Sequence, residues 1–331
     1  MKKCMGNDKL PYRFLVTGGA GFIGSNVCEY LLANGAIHVT TVDNLFSGSM
    51  FNIQELQKDK RFTFIHADVN DTHAYAYELS QVDVVIHLAA IGSVPKSVLD
   101  PLATNEANVT GTLALLHAIS KLDHKPYIIF SSSSSVYGND THYPKQEAFL
   151  GEPLSPYAVS KRADELYLQV FSSLHNINIT VFRFFNVFGR RQNPKGPYAA
   201  VIPQFILNML QQEPVTIYGD GLQTRDFTYI DNILHGIHLA IEKRIQGYHV
   251  FNIAGGKACS VVELFSILKN HLNYPFEPVF AEPRAGDIRK SLADLQKAEI
   301  YLGYHPIVSF EEGLIKTIEW YKEHLKYYVL S

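Results

Sequence analysis

Short apolar runs rich in β-branched residues alternate along the chain with longer stretches of helical pattern. RFLVT (13–17), HVTTVD (38–43), FTFI (62–65), VDVVIH (82–87), PYIIF (126–130) and ITVFR (179–183) read as strands, and 22–34, 73–80, 105–121 and 156–175 as the helices between them. Continuous apolar strands are the mark of burial on both faces, and strand–helix alternation builds a parallel, doubly wound sheet. Beyond Arg183 the pattern loosens. Pro194, Gly196, Pro197, Pro203 and Pro214 break it, VTIYG (215–219) and HVFNIA (249–254) are short strand candidates, and 309–327 is an amphipathic helix candidate. The pattern predicts an α/β protein in which 1–185 forms the sheet domain, 230–254 returns to it, and 186–229 with 255–331 forms a smaller C-terminal lobe.

Composition narrows the setting. With 331 residues and 47% hydrophobic content, the chain can build one large α/β unit or two closely packed domains. A net charge of −3 and the lack of any Lys/Arg run argue against nucleic acid and anionic membranes as partners. No apolar stretch approaches the ~18 residues of a membrane span, and the N-terminal MKKCMGNDKL lacks the apolar centre of a signal peptide. Cys4, Cys28 and Cys259 are scattered and the histidines dispersed, so no metal site is expected and the cysteines read as free thiols of a cytoplasmic protein.

The first chemical signal lies where the first strand meets the first helix. In TGGAGFIGS (17–25), Gly18, Gly21 and Gly24 are spaced GxxGxxG, and the helical pattern starts at Phe22 and Ile23. Such a turn lets backbone approach a pyrophosphate, and the helix N-terminus offers it unpaired N–H groups. Alone, the spacing is also that of an ordinary Gly-rich turn. The second strand, however, ends at Asp43. A carboxylate there can accept both hydroxyls of an adenine ribose and repels a 2′-phosphate, which favours NAD over NADP.

The second signal is SPYAVSKRADELY, in which Tyr157 and Lys161 stand four apart and share one face of a helix. An ammonium beside a phenol lowers the phenol's pKa and makes it a base near neutrality. The spacing alone is common on helix surfaces. Before it comes SSSSSVYG (131–138), five serines at the end of a strand.

Together TGGAGFIG, HLAA (87–90), the serines before VYG and YAVSK resemble the extended short-chain dehydrogenase/reductases, over about residues 13 to 320. GSVPKS (92–97), RFFNVFGRRQNPKGPYAAVIP (183–203), DGLQTRDFTYIDN (220–232) and RAGDIRKSLAD (284–294) resemble the UDP-N-acetylhexosamine 4-epimerase branch. The resemblance implies a Rossmann-type sheet with a UDP-sugar-binding lobe, NAD as cofactor and a homodimer built through the helices at 105–121 and 156–175. It implies Tyr157, Lys161, Ser133 and Ser135 as catalytic residues. Ser134 then supports the turn, and Ser131 and Ser132 satisfy backbone groups. For the cofactor it adds Asn44, Asp68, Val69, Leu88, Ala89, Ala90 and Asn108 to the glycine turn and Asp43. For the UDP-sugar it implies Gly92, Ser93, Asn186, Gln192, Ala200, Val201, Tyr218, Arg225, Arg284 and Asp287. Ser291 borders the C2 substituent, where a serine leaves room for an N-acetyl group. Related dehydratases and decarboxylases carry carboxylates just before VYG; Ser134 and Ser135 stand there instead.

The reaction implied is reversible NAD-dependent 4-epimerisation of UDP-N-acetylglucosamine and UDP-N-acetylgalactosamine, with UDP-glucose and UDP-galactose as further substrates, through a 4-keto sugar. A UDP-hexuronic acid 4-epimerase is the nearest alternative. A non-catalytic NAD-binding sensor is a distant one, since it predicts loss of the Tyr/Lys/Ser set.

Overall fold

The computed structural model describes residues 9–195, 199–283 and 289–330. The six expected strands form as β1 (Arg13–Thr17), β2 (His38–Asp43), β3 (Phe62–His66), β4 (Val84–His87), β5 (Tyr127–Ser133) and β6 (Ile179–Phe184). Short strands follow: β7 (Val187–Phe188), β8 (Thr216–Tyr218), β9 (Thr224–Asp226) and β10 (Thr228–Tyr229). The chain then returns to the main sheet with β11 (Tyr248–Ile253) and leaves it again for β12 (Ala258–Ser260) and β13 (Val279–Ala281). The main sheet has seven parallel strands in the order β11-β6-β5-β4-β1-β2-β3. Strand order reverses between β1 and β4, and a ligand crevice opens beyond the carboxyl ends of strands at such a switch point. Three two-stranded ribbons, β7 with β10, β9 with β12 and β8 with β13, stiffen the C-terminal lobe.

Burial explains the unbroken apolar strands. Leu15, Val85, Ile128, Phe130 and Val181 pack on one face against Leu115, Ile119 and Leu168. Phe14, Val16, Val84, Ile86, Ile129 and Phe182 pack on the other against Val27, Leu31, Ile233 and Ile237. Both faces are dry, as strands covered by helices on each side require.

Local chemistry sets the helix ends. Helix Pro156–His175 starts with Pro156 in its first turn and the Ser155 hydroxyl accepting from Ala158 N at 3.1 Å, and it stops at Asn176 in the left-handed region. Helix Val201–Leu210 forms although Pro203 lies within it, because Pro203 is its third residue, where a backbone N–H has no intrahelical partner to lose. The stretch expected as one helix over 105–121 is broken up. Helix Pro101–Asn105 runs into a π turn over Glu106–Thr110 before Gly111–Ser120 resumes α geometry. The segment 73–80 likewise divides, into a 3₁₀ turn (Thr72–Tyr75) and a short α-helix (Ala76–Ser80). The last helix is Phe310–Leu330.

Candidate active site

The glycine turn is a cradle with no room for side chains. Gly18 has φ +73°, and a Cβ there would stand 2.8 Å from Ala89 N; one on Gly24 would stand 2.1 Å from Gly18 O. Gly19, which the GxxGxxG spacing skips, is as constrained: its Cβ would meet Thr41 Oγ1 at 1.7 Å. Helix Phe22–Ala33 opens at Gly21 with no side-chain cap, so its first N–H groups face the crevice. Asp43 ends β2 beside them, accepting from Ala20 N at 2.9 Å and Leu45 N at 2.7 Å. Burial raises its pKa, and these N–H groups pull it back. Each carboxylate oxygen keeps a lone pair for a ribose hydroxyl. Asn44 donates to Asp68 at 2.7 Å, and the Tyr75 hydroxyl holds the Val69 carbonyl at 2.6 Å, which fixes the loops after β2 and β3.

Behind the cradle the Thr17 hydroxyl accepts from Leu88 N and Ala89 N, each at 3.2 Å. Its hydrogen therefore turns to His87 Nδ1 at 2.6 Å, and His87 Nε2 gives its own to Thr112 Oγ1 at 3.0 Å. Burial pushes His87 down to about 3, so it is neutral. This network fixes the turn after β4 that carries Leu88, Ala89 and Ala90.

The serines stand at the end of β5, which runs to Ser133 rather than stopping at Phe130. Burial pushes the Tyr157 phenol up from its usual value, and the Ser133 hydroxyl beside it pulls it down. Ser97 Oγ accepts from Tyr157 N at 3.0 Å and anchors the start of that helix. Lys161, 3% exposed, lies 4.5 Å from the face of the Phe130 ring. Burial lowers its pKa, while Asp164 and Glu165 raise it. The buried Ser135 hydroxyl has no hydrogen-bond partner, and its amide donates to Ser133 Oγ at 3.2 Å. The π turn aims Asn108 at the same place: Asn108 Oδ1 accepts from Ile91 N at 2.8 Å, and its Nδ2 donates to Ser160 Oγ at 2.9 Å. Ser132 corrects the expectation of a backbone partner. It donates to Glu165 Oε1 at 2.6 Å, inside a buried pair in which Arg183 grips Glu165 at 3.0 and 2.7 Å.

In the C-terminal lobe, Asn186, Ala200, Val201, Tyr218 and Arg225 line one cavity of about 250 Å³. Asn186 is held at φ +33° with its amide on Asp226 O at 3.2 Å. Ser291 lies next to this wall, 8% exposed, with its N–H on Thr224 O at 3.2 Å. Gly92 faces open space, and Ser93 caps helix Val94–Leu99 through Lys96 N at 3.4 Å. Gln192 stands outside the lining of this cavity; its amide donates to Val187 O at 3.2 Å, and its carboxamide oxygen is buried. Arg284 and Asp287 lie outside the described residues. Asp226 was missed from sequence. Fully buried, it accepts from Gly255 N, Gly256 N and Ala293 N at 2.9 to 3.1 Å, and ties two loops to the end of β9. An acid one residue after Arg225 in a short polar strand was its only signal. Among the described residues no group of three or more His, Cys, Asp or Glu could hold a metal ion, and no helix is long and apolar enough to cross a membrane.

The pattern of the NAD-dependent epimerase/dehydratase family matches residues 14–254. A UDP-glucose 4-epimerase from Thermotoga maritima, solved with UDP-glucose, is 40% identical, with 95% of this chain and 99% of that one covered and a TM-score of 0.88. A UDP-N-acetylglucosamine 4-epimerase from Methanobrevibacter ruminantium, solved with UDP-N-acetylmuramic acid, is 38% identical over 95% and 99% of the chains, with a TM-score of 0.89. A UDP-glucuronic acid 4-epimerase from Bacillus cereus, solved with UDP-glucuronic acid and NAD, is 37% identical over 94% and 99%, with a TM-score of 0.86.

Proposed function

The chain belongs to the NAD-dependent epimerase/dehydratase family, and from that premise we propose that it is a UDP-sugar 4-epimerase whose substrates are UDP-N-acetylglucosamine and UDP-N-acetylgalactosamine. The observation that carries the reaction is the Tyr157 phenol beside the Ser133 hydroxyl at the end of β5, with the buried Lys161 one turn further along the same helix face. The cradle and Asp43 fit NAD, which when bound supplies reversible hydride acceptance at the sugar's C4.

Tyr157, as phenolate, takes the proton of the 4-hydroxyl, and Lys161 stabilises that phenolate with its charge. Ser133 holds the same oxygen in line by a hydrogen bond. Asn186 and Arg225 hold the diphosphate end while the 4-keto sugar turns over, and Tyr157 returns its proton once the other face is presented. Redox state and proton count are then restored. Ser134 and Ser135 bring no carboxylate to eliminate water from C6, so the chemistry stays at C4.

Small side chains support the N-acetyl substrate: Gly92 leaves its side of the crevice open and Ser291 is short. A homodimer is part of the proposal. Leu99, Leu102, Val159, Leu166, Val170 and Leu174 are each at least half exposed, on helices Val94–Leu99, Pro101–Asn105 and Pro156–His175, which pack side by side. An apolar surface of this kind on adjoining helices suits a protein contact. It adds 94–105 to the helix 156–175 that the family resemblance implies.

Purified protein should release NAD on denaturation. It should interconvert the two UDP-N-acetylhexosamines faster than it turns over UDP-glucose or UDP-glucuronate. A preference for UDP-glucuronate would move it to the hexuronic acid branch, and no turnover of any UDP-sugar would end the reading.

A further inference from the structure

We propose that Asp164 is the buried counter-ion that keeps Lys161 protonated, a positioning residue that acts on the Tyr157 base through the lysine. The inference rests on the roles given above to Tyr157 and Lys161.

Asp164 is fully buried, and neither of its carboxylate oxygens has a hydrogen-bond partner. Proteins seldom keep such a group, because a buried charge without hydrogen bonds is costly. Its charge partner is Lys161, whose Nζ stands 3.8 Å from Oδ2. Tyr157, Lys161 and Asp164 follow one another at i, i+4 and i+7 on one helix face, with the lysine's position between the other two along the helix.

The other groups around Asp164 are committed elsewhere. Glu165, the next residue, is held by Arg183 and Ser132. His87 on β4 is neutral and hydrogen-bonded through both ring nitrogens. Thr112, on the helix behind, receives the His87 Nε2 hydrogen and turns its own toward Asp164, which eases the carboxylate's burial but brings no charge. Lys161 is the cation, among the described residues, that answers the carboxylate's charge.

The physics runs both ways across the pair. Burial pushes Lys161 down and Asp164 up, the latter to about 7, and each opposes the other's shift. Without the carboxylate, the dry pocket would favour a neutral lysine. A neutral lysine cannot stabilise the Tyr157 phenolate. Asp164 also works directly against the phenolate, since its charge raises the phenol's pKa. The two effects fall on different limbs of a pH profile: loss of the lysine's charge on the alkaline limb, and relief of the phenol on the acid limb.

Two measurements decide the matter. The first is the pH profile of kcat/KM for the NAD-loaded protein, its Asp164→Asn variant and its Asp164→Glu variant. In Asp164→Asn the alkaline limb should move to lower pH by about 1–3 units, with NAD content and KM held, and Asp164→Glu should restore much of the limb. An unmoved alkaline limb would overturn the proposal. So would a shift of the acid limb to lower pH with a faster rate at neutrality, which would make Asp164 a brake on the base. The second is a double-mutant cycle in thermal stability and needs no activity. Asp164→Asn should lower Tm by about 5–10 °C, as breaking a buried pair does, while in the Lys161→Met background the same change should cost little. Equal losses in both backgrounds would overturn the proposal. Absence of any epimerase activity in the parent protein would remove the functional reading yet leave this cycle able to judge the pair.

Discussion

Ser132 and Ser133 are adjacent in β5 and meet different neighbours, Glu165 for one and the Tyr157 phenol for the other. Ser133→Ala should therefore lose rate while its Tm falls only by what the 3.2 Å cap from Ser135 N contributes; losing a hydrogen bond worth about 1–3 kcal/mol in the transition state lowers kcat roughly five- to a hundredfold. Ser132→Ala should lose about 1–3 kcal/mol of stability from a hydrogen bond to a charged group while kcat changes little. Steady-state kinetics and thermal melts of the two variants check both, and a reversed order would put the catalytic hydroxyl one residue earlier. Tyr157→Phe removes the base from an otherwise intact pocket, and kcat should fall on the order of 10²–10⁴; near-normal turnover would sink the assignment. Ser291→Tyr tests the substrate. If Ser291 borders the C2 group, overpacking of ~1–3 kcal/mol should lower kcat/KM for UDP-N-acetylglucosamine roughly five- to a hundredfold and spare UDP-glucose. Equal losses would mean general damage to a buried position.

At the scale of elements, the π turn at Glu106–Thr110 matters most for the site. A π turn displaces one residue from regular helical register, and here it accompanies Asn108 bridging Ile91 and Ser160. Asn108→Ala leaves the Ile91 N–H buried and unpaired, at about 1–3 kcal/mol; melts should show the loss, and activity should fall with it because Ser160 lies between Tyr157 and Lys161. This is also where the sequence was hardest to read. Residues 105–121 have an unbroken helical pattern, and nothing in side-chain periodicity marks a widened turn. The main-sheet strands through β6 were legible because burial on both faces leaves continuous apolar runs. Helix Val201–Leu210 was hidden by Pro203, and helices Ile230–Lys243 and Val261–Leu272 by the loosened pattern around them. Of the candidate site, the glycine turn, Asp43, Tyr157 and Lys161 declare themselves through spacing. Asp226 does not, because its partners are distant in sequence, and Asp164 does not, because only burial separates it from an ordinary i,i+3 surface pair with Lys161.

For the whole molecule, the apolar surface on the helices around 99, 102 and 159–174 predicts a dimer in sedimentation, and a Leu166→Glu, Val170→Glu variant that runs as a monomer with its NAD still bound. A monomeric parent protein would refute that contact. The path of the chain has a consequence of another kind. β6 is complete at Phe184, with all six of its residues buried, but its outer neighbour β11 arrives only at Tyr248–Ile253, after the first excursion into the C-terminal lobe. On the ribosome, the half-built sheet must therefore wait with one hydrogen-bonding edge bare while 185–247 is synthesised, and a bare, apolar edge is a template for another chain. A chain halted near residue 230 should precipitate or be held by chaperones despite containing the glycine turn, Asp43, Tyr157 and Lys161, whereas the same fragment supplied with residues 231–331 as a second polypeptide has the missing strand available and should recover solubility.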